Sequence, residues 1–178
     1  MPGGVRGVGS RGPPLSRLYA CKVWWNMTFE EFLVQAKIVT YATVGEGGER
    51  RLEDGAFELE FADSPFRYRD RYFGFNPFLG QEVVWRDKVY VWGMNYFGQV
   101  HSDRVPTIDV FEFLKLALQK PEPRNPVRGP IAFCHEDYQY VNHFDGCLSQ
   151  FHGQEMIYFQ HEHVYTLRYH GGNCVALV

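Results

Sequence analysis

Two stretches of this chain resemble each other closely enough to constrain its fold. Residues 78–98 align without a gap with residues 151–171, and seven of the 21 aligned positions are identical. The identical pairs are Phe78/Phe151, Gly80/Gly153, Gln81/Gln154, Glu82/Glu155, Val91/Val164, Tyr96/Tyr169 and Gly98/Gly171. An internal repeat dictates architecture, because both copies are expected to fold alike and to place matching residues in matching positions.

Each half of the chain, which ends with one of the two similar stretches, has the pattern of a helix followed by strands. Apolar residues at helical spacing predict one helix over residues 28–41 and another over residues 109–118. The remaining segments alternate with a period of two and are rich in valine and aromatic residues, which is typical of strands on a half-buried sheet. Polar residues at 86–88 and 160–163 predict the tips of two hairpins.

These patterns predict an α+β fold built from two duplicated units. We expect a single domain over residues 27–178, with repeats at about 27–100 and 106–173, each of about one helix and four antiparallel strands. The two units are expected to be related by a pseudo-twofold axis, and either to pack sheet against sheet or to join into one curved sheet with the helices covering one side. A cleft on that axis would present both copies of each repeated residue.

The first 26 residues differ from the rest of the chain. They contain Arg6, Arg11, Arg17 and Lys22 without any acidic residue, and their many glycines and prolines oppose regular structure. We expect this segment to be disordered or to be an over-extended start, with Met27 as a candidate first residue.

Composition excludes several classes of protein. The net charge of −3 does not favour nucleic-acid binding, which usually requires a basic excess. No apolar run is long enough for a membrane helix, and the four cysteines form no Cys-x-x-Cys pair, so we expect a cytoplasmic protein that does not insert into membranes. Whether Cys134 and Cys147, or Cys174, form a disulfide stays open at this point.

Several short motifs together resemble one known family. They are Gly80 to Trp85, Trp92 to Gly98, Arg128-Gly129-Pro130, Phe151-x-Gly153-x-Glu155 and Tyr169 to Gly172. Over about residues 27–173 the chain resembles the family called domain of unknown function 5680. The resemblance implies a sensing or interaction module that is often attached to a helix-turn-helix domain, and it implies no catalytic residues. The 26 preceding glycine-rich residues cannot form a helix-turn-helix, so we expect a stand-alone member.

The two Gln-Glu pairs are the clearest chemical candidates. A pseudo-twofold axis could bring Glu82 and Glu155 to one cleft, where paired carboxylates can divide acid and base roles. The alternative is structural, because a glutamate that follows a glycine at a strand start often accepts backbone hydrogen bonds.

The abundance of aromatic residues indicates a large core and a possible ligand pocket. Tyrosines and tryptophans around a cleft with a few polar groups are typical of small-molecule sites. The candidate ligand-binding residues are Glu82, Glu155, Trp85, Trp92, Asn95, Tyr96, Tyr158, Arg168 and Tyr169.

Two further clusters contain side chains that can bind an anion or a metal. Arg67, Arg69 and Arg71 lie on one face of a predicted strand and are candidates for anion binding, or simply form a solvated face with acidic partners. His161 and His163 share a face but lie at a predicted hairpin tip without an established metal spacing. We therefore expect no metal site and no cofactor.

The sequence thus favours a non-enzymatic module that binds or senses a small organic molecule in an aromatic cleft. One alternative is a protein-interaction module, for example a homodimer. The other is a small hydrolase or lyase that uses the paired carboxylates, so whether the protein is an enzyme stays undecided, with a non-enzymatic role favoured.

Overall fold

The described part of the protein consists mainly of one antiparallel β-sheet. The computed structural model of the protein describes residues 27–42, 49–121 and 126–175. In these residues nine strands form a single sheet in the order β1-β2-β3-β4-β5-β9-β8-β7-β6. The strands are β1 (Arg50–Arg51), β2 (Phe57–Asp63), β3 (Phe66–Gly74), β4 (Phe78–Arg86), β5 (Val89–Val100), β6 (Ala132–His135), β7 (Tyr138–Cys147), β8 (Gln150–Phe159) and β9 (Glu162–Asn173).

Two short helices accompany the sheet. Helix α1 (Phe29–Lys37) begins with a capping box, in which Thr28 and Glu31 exchange side-chain to backbone hydrogen bonds. It continues into a π-helical turn (Ile38–Ala42), where the Thr40 hydroxyl donates to the Ala36 carbonyl. Helix α2 (Thr107–Leu118) lies between β5 and β6 in the chain.

The expected α+β fold of two duplicated helix-plus-four-strand units is wrong. The protein is largely β, because the helices have only nine and twelve residues while all nine strands of the described part join edge to edge. The pairing of β5 with β9 extends from Trp92↔Asn173 to Val100↔Tyr165, so the strands of both stretches belong to one sheet. Periodicity along the chain reveals strands, but it does not reveal which distant strands share hydrogen bonds.

The two predicted hairpin tips are confirmed. Asp87 and Lys88 connect β4 to β5, and Gln160 and His161 connect β8 to β9. All four residues have positive φ values between 45° and 71°. Two successive positive φ values are the mark of type I′ turns, whose twist matches that of the adjoining strands.

Both helices pack on the same face of the sheet, which we call the inner face. Phe32 of α1 lies against Phe66, and Phe113 of α2 stacks on Tyr138, with ring centroids 5.1 and 5.0 Å apart. Buried apolar side chains from both helices and from β3, β4, β5, β7, β8 and β9 form one core cluster. The inner face is therefore buried under the helices, and polar groups there require partners.

Three other expectations concern the chain as a whole. Cys134, Cys147 and Cys174 are exposed free thiols, so none of these three forms a disulfide. No helix in the described residues is long and apolar enough to cross a membrane. Residues 1–26, expected to be disordered or over-extended, lie outside the described residues.

Candidate functional site

A group of charged side chains lies on the buried inner face, near the junction of α1 with its π-helical turn. Asp70 on β3 and Glu82 on β4 are direct partners across the strands, and both side chains are buried. Lys37, the last residue of α1, donates to Glu82 Oε2 at 2.5 Å. Tyr96 on β5 donates its hydroxyl to Asp70 Oδ1 at 2.7 Å.

These side chains surround a small cavity of about 40 Å³, which we call the inner cavity. Arg128, from the segment before β6, closes it together with Tyr41 of the π-helical turn and Tyr68 of β3. The space is sufficient for one water molecule or one ammonium-sized group.

Burial changes the acidity of Asp70. Loss of solvation, followed by the negative charge of Glu82, raises the pKa of Asp70 from 3.8 to about 7. The hydrogen bond from Tyr96 and the positive charges of Lys37 and Arg128 act in the opposite direction but do not outweigh burial. Asp70 is therefore a carboxyl group that can gain or lose a proton near neutral pH.

A second carboxylate site, on β7 and β8, is fully occupied by protein partners. Arg128 donates to both oxygens of Glu155, at 3.0 and 2.7 Å, and Tyr140 donates to Oε1. Asn142, the cross-strand partner of Glu155, accepts from Tyr169 at 2.8 Å and donates to the Gly129 carbonyl at 3.1 Å.

Two glycines make room for the tyrosines of these sites. Gly80 lies opposite Tyr96, and Gly153 lies opposite Tyr169. A Cβ atom at either position would collide with the hydroxyl end of the facing tyrosine. The absence of a side chain thus lets each ring lie across the neighbouring strand and direct its hydroxyl to Asp70 or to Asn142.

A larger groove adjoins the inner cavity. It has a volume of about 560 Å³ and lies between α2 and strands β2 to β4. Its walls are mostly aromatic and include Phe57, Tyr72, Phe75 and Phe111. Tyr41, Phe78 and Tyr96 line both spaces, so the groove and the inner cavity meet at these three residues. We call the larger space the aromatic groove.

The structure brings together only part of the residue set proposed from the sequence. Glu82 and Tyr96 line the inner cavity. Glu155 is wholly buried by Arg128 and Tyr140, and strands β5 and β9 lie between it and Glu82. Both glutamates lie in strand interiors and have cationic side chains as partners, so they are neither one shared dyad nor acceptors at a turn.

The other candidate ligand residues lie elsewhere. Trp92 is wholly buried in the core, stacks on Phe151 and donates to the Leu148 carbonyl. Tyr169 is held by Asn142 at the second carboxylate site. The remaining four lie on the outer face of the sheet, away from the helices: Trp85, Asn95, Tyr158 and Arg168.

The three arginines of β3 also lie on the outer face, and the structure gives them protein partners. Arg71 pairs with Asp54, and Arg69 and Arg67 approach Glu58 and Glu60 at 4.0 and 3.9 Å. The guanidinium carbons of Arg67 and Arg69 lie 4.3 and 5.1 Å from the Trp85 ring centroid. This arrangement is that of a surface charge network, and the anion-binding role stays a prediction.

Sequence reasoning missed three members of the site: Lys37, Asp70 and Arg128. Two of them carried a signal. Lys37 lies one helical turn after Leu33, on the apolar side of α1, where a charge requires a buried partner. Asp70 alternates with the arginines but lies on the same strand face as Tyr68 and Tyr72. Arg128 was noted only as part of a motif.

Metal binding has no support in the described residues. Across residues 27–42, 49–121 and 126–175, no three histidine, cysteine, aspartate or glutamate side chains are placed to hold a metal ion. His163 instead contacts His101 and Tyr158, with ring centroids 4.6 and 5.1 Å apart.

Comparison with known families gives one result. A family model described as a domain of unknown function (DUF5680) matches residues 70–174, which is more than half of the chain. The chain belongs to this family. The DUF5680 segment begins at Asp70 itself and includes Glu82, Arg128 and Glu155, whereas Lys37 and the π-helical turn precede it. No curated protein and no solved structure matches the chain.

Proposed function

We propose that this DUF5680 protein is a non-enzymatic module that binds or senses a small organic molecule in the aromatic groove. The observation that carries the proposal is the groove itself, with its aromatic walls and its passage to a buried polar cavity. Its volume of about 560 Å³ is within the usual range for ligand sites, which combine apolar walls with a few placed polar groups.

Exposed aromatic surface in the groove also supports ligand binding. Phe75 keeps 52% of its surface exposed although it lies beside the core aromatic residue Phe111, at 5.4 Å between ring centroids. A ligand that covers such surface gains hydrophobic free energy without any rearrangement of the core.

The positions of Glu82 and Glu155 favour a ligand-binding function over catalysis by these two carboxylates. Glu82 pairs with Lys37, while Glu155 accepts three hydrogen bonds from Arg128 and Tyr140. Two glutamates on separate strands, each with its own cationic partner, do not provide the acid and base of one reaction. The free thiols of Cys134, Cys147 and Cys174 support a reducing location, and we include the cytoplasm in the proposal.

The first test compares two phenylalanines on opposite faces of the sheet. Compounds that raise the melting temperature in a thermal-shift screen should bind the Phe75→Ala variant about tenfold more weakly, because one wall of the groove is lost. Phe97→Ala is the matched control, since Phe97 is equally exposed, at 50%, but lies on the outer face. Affinities are measured by isothermal titration calorimetry.

Filling the groove is the complementary test. Lys115 of α2 lines the groove, so Lys115→Trp should abolish binding, whereas Leu116→Trp, at the exposed neighbouring position, should not. Unchanged affinity in both Phe75→Ala and Lys115→Trp would refute the groove as the ligand site.

A second candidate function is a protein-interaction module, and one feature of the outer face favours it. Phe73, Leu79 and Phe97 are cross-strand neighbours, and all three are exposed. Such an apolar row is typical of interaction surfaces.

This second function requires association through the outer face. Size-exclusion chromatography with light scattering should then show a wild-type dimer and a monomeric Leu79→Asp variant. A wild-type monomer at all concentrations would count against homodimerisation and leave the ligand-binding proposal in place.

A further inference from the structure

Two carboxyl groups that line the inner cavity accept fewer hydrogen bonds than a carboxylate can accept. Among the described residues, Asp70 accepts one hydrogen bond, from Tyr96, and Glu82 accepts one, from Lys37. Glu155, at the second carboxylate site, accepts three. A carboxylate has about four acceptor positions, so Asp70 and Glu82 can each accept further hydrogen bonds from a donor in the cavity.

The charges around the cavity favour a cation. Lys37 is paired with Glu82, and Arg128 is paired with Glu155. The opposite charges within each pair cancel. Asp70 remains as an acid whose hydrogen-bond partner, Tyr96, is neutral. An anionic group would have to compete with Glu82 and Glu155 for cations that are already paired, whereas a cationic group would neutralise the unpaired Asp70.

The sizes of the two spaces fit the two parts of one molecule. The inner cavity, at about 40 Å³, has room for an ammonium group, and the groove, at about 560 Å³, has room for an apolar body. The groove walls are rings, which attract a cation through their faces. The Arg128 guanidinium already lies 5.9 Å from the Tyr96 ring centroid at the junction of the two spaces.

We propose that the aromatic groove binds an organic amine, with the apolar body between the aromatic walls and the protonated nitrogen donating to Asp70. The inference rests on the proposed ligand-binding function and names the class of its ligand. Discrimination comes from ionised Asp70, because a buried carboxylate without an ion-pair partner accepts the hydrogen bonds of an ammonium group and has no donor for a carboxylate ligand.

The structure also predicts how this site responds to pH. Burial raises the pKa of Asp70 to about 7, so at pH 6 most of the population carries a neutral acid at this position. The groups that face Asp70 are Lys37 from α1, Tyr68 from β3, Glu82 from β4, Tyr96 from β5 and Arg128 from the segment before β6. An ammonium ligand favours the ionised form, so its affinity should rise between pH 6 and pH 8 and its binding should release protons below pH 7.

Three probes of nearly equal shape test the inference. They are 4-phenylbutylamine, 4-phenylbutanol and 4-phenylbutyrate, which carry a cation, a neutral hydroxyl and an anion on the same apolar body. We expect the wild-type protein at pH 8 to bind the amine about tenfold or more tightly than the alcohol, and the butyrate most weakly. Calorimetry in two buffers of different ionisation enthalpy measures the affinities and the protons released.

The decisive variant is Asp70→Asn, because it keeps an acceptor for Tyr96 and removes only the charge. Its amine affinity should fall to that of the alcohol, while its alcohol affinity should stay within about threefold of wild type. Phe75→Ala should weaken the amine and the alcohol by the same factor, since it alters only the groove.

Each outcome separates the two proposals. Equal wild-type binding of amine and alcohol, both weakened by Phe75→Ala, would overturn the amine inference and leave the groove as a ligand site. Tighter binding of the butyrate would also overturn it. If none of the three phenyl compounds binds at millimolar concentration, the groove is not a site for aromatic ligands, and the proposed function fails together with the inference.

Discussion

An Asp70→Asn variant should be more stable than the wild-type protein at pH 8, and this gain should largely disappear at pH 4. The reason is that folding buries Asp70, and loss of solvation together with the charge of Glu82 raises its pKa from 3.8 to about 7. At about 1.4 kcal/mol per pKa unit, this difference corresponds to roughly 4 kcal/mol of lost stability once Asp70 is ionised.

The direction follows from proton binding. Between about pH 4 and pH 7 the folded protein holds a proton on Asp70 that the unfolded chain has released, so the free energy of unfolding falls as the pH rises. Above pH 7 the folded protein carries the full cost of a buried carboxylate. Asparagine has no charge to lose, and Asn142 shows that this side chain is accommodated beneath a tyrosine hydroxyl, at 2.8 Å from Tyr169.

The measurement is urea unfolding of both proteins from pH 4 to pH 9. We expect the difference in free energy of unfolding to grow to at least about 2 kcal/mol by pH 8 in favour of Asp70→Asn. Asp145→Asn, at an exposed position on β7, is the control and should change neither stability nor its pH dependence. Parallel curves for wild type and Asp70→Asn would show that Asp70 ionises as an ordinary surface carboxyl group.

The same residue shows how far the sequence predicts this protein. The alternation of β3 was sufficient to place Arg67, Arg69 and Arg71 together on one face, because a strand has a strict period of two. The same alternation places Asp70 on the opposite face with Tyr68 and Tyr72. The alternation does not predict the position of α1, whose residue Lys37 donates to Glu82, the cross-strand neighbour of Asp70.

The fold was missed for a related reason. The hairpins β4–β5 and β8–β9 join neighbours along the chain, and their turn residues are visible in the sequence. The pairing of β5 with β9 joins residues that are 81 positions apart at Trp92↔Asn173 and 65 positions apart at Val100↔Tyr165. No local pattern records such a pairing, so the sequence left open whether the two similar stretches pack as two sheets or join into one.

Ion pairs between distant residues set the same limit for the candidate site. The sequence analysis selects Glu82 and Glu155 as candidates, but their partners Lys37 and Arg128 lie 45 and 27 residues away. A buried carboxylate demands a partner, yet the sequence does not say which one. The ion pairs also determine the cavity, because Arg128 lines it and donates to Glu155.

The second large effect is expected at Glu155. Its side chain has no exposed surface, and the Arg128 side chain that donates to both of its oxygens is 9% exposed. Glu155→Ala should lower the free energy of unfolding by about 3–5 kcal/mol, because it leaves a buried guanidinium group without a counter-ion and Tyr140 without an acceptor. Urea unfolding at pH 7 measures this loss.

Glu82→Ala, in the other half of the sheet and on the same inner face, is the matched comparison. Glu82 has one described hydrogen-bond partner, Lys37, whose side chain is 14% exposed and carries a flexible ammonium group. After the substitution the ammonium group can turn towards the cavity and the neighbouring Asp70, so we expect a smaller loss of about 1–2 kcal/mol. Equal losses for the two variants would contradict the difference in partner number.

A combined variant separates the charge from the packing. Arg128→Met, Tyr140→Phe and Glu155→Leu together remove the ion pair and the Tyr140 hydroxyl, leave Asn142 and Tyr169 in place, and roughly preserve the volume of the site. We expect the triple variant to regain most of the stability lost in Glu155→Ala, because no unpaired charge remains buried. If the losses of the single variants simply add, Arg128, Tyr140 and Glu155 do not act as one unit. Recovery in the triple variant would show that the net stabilisation from this site is small and that each member is needed mainly because the others are buried.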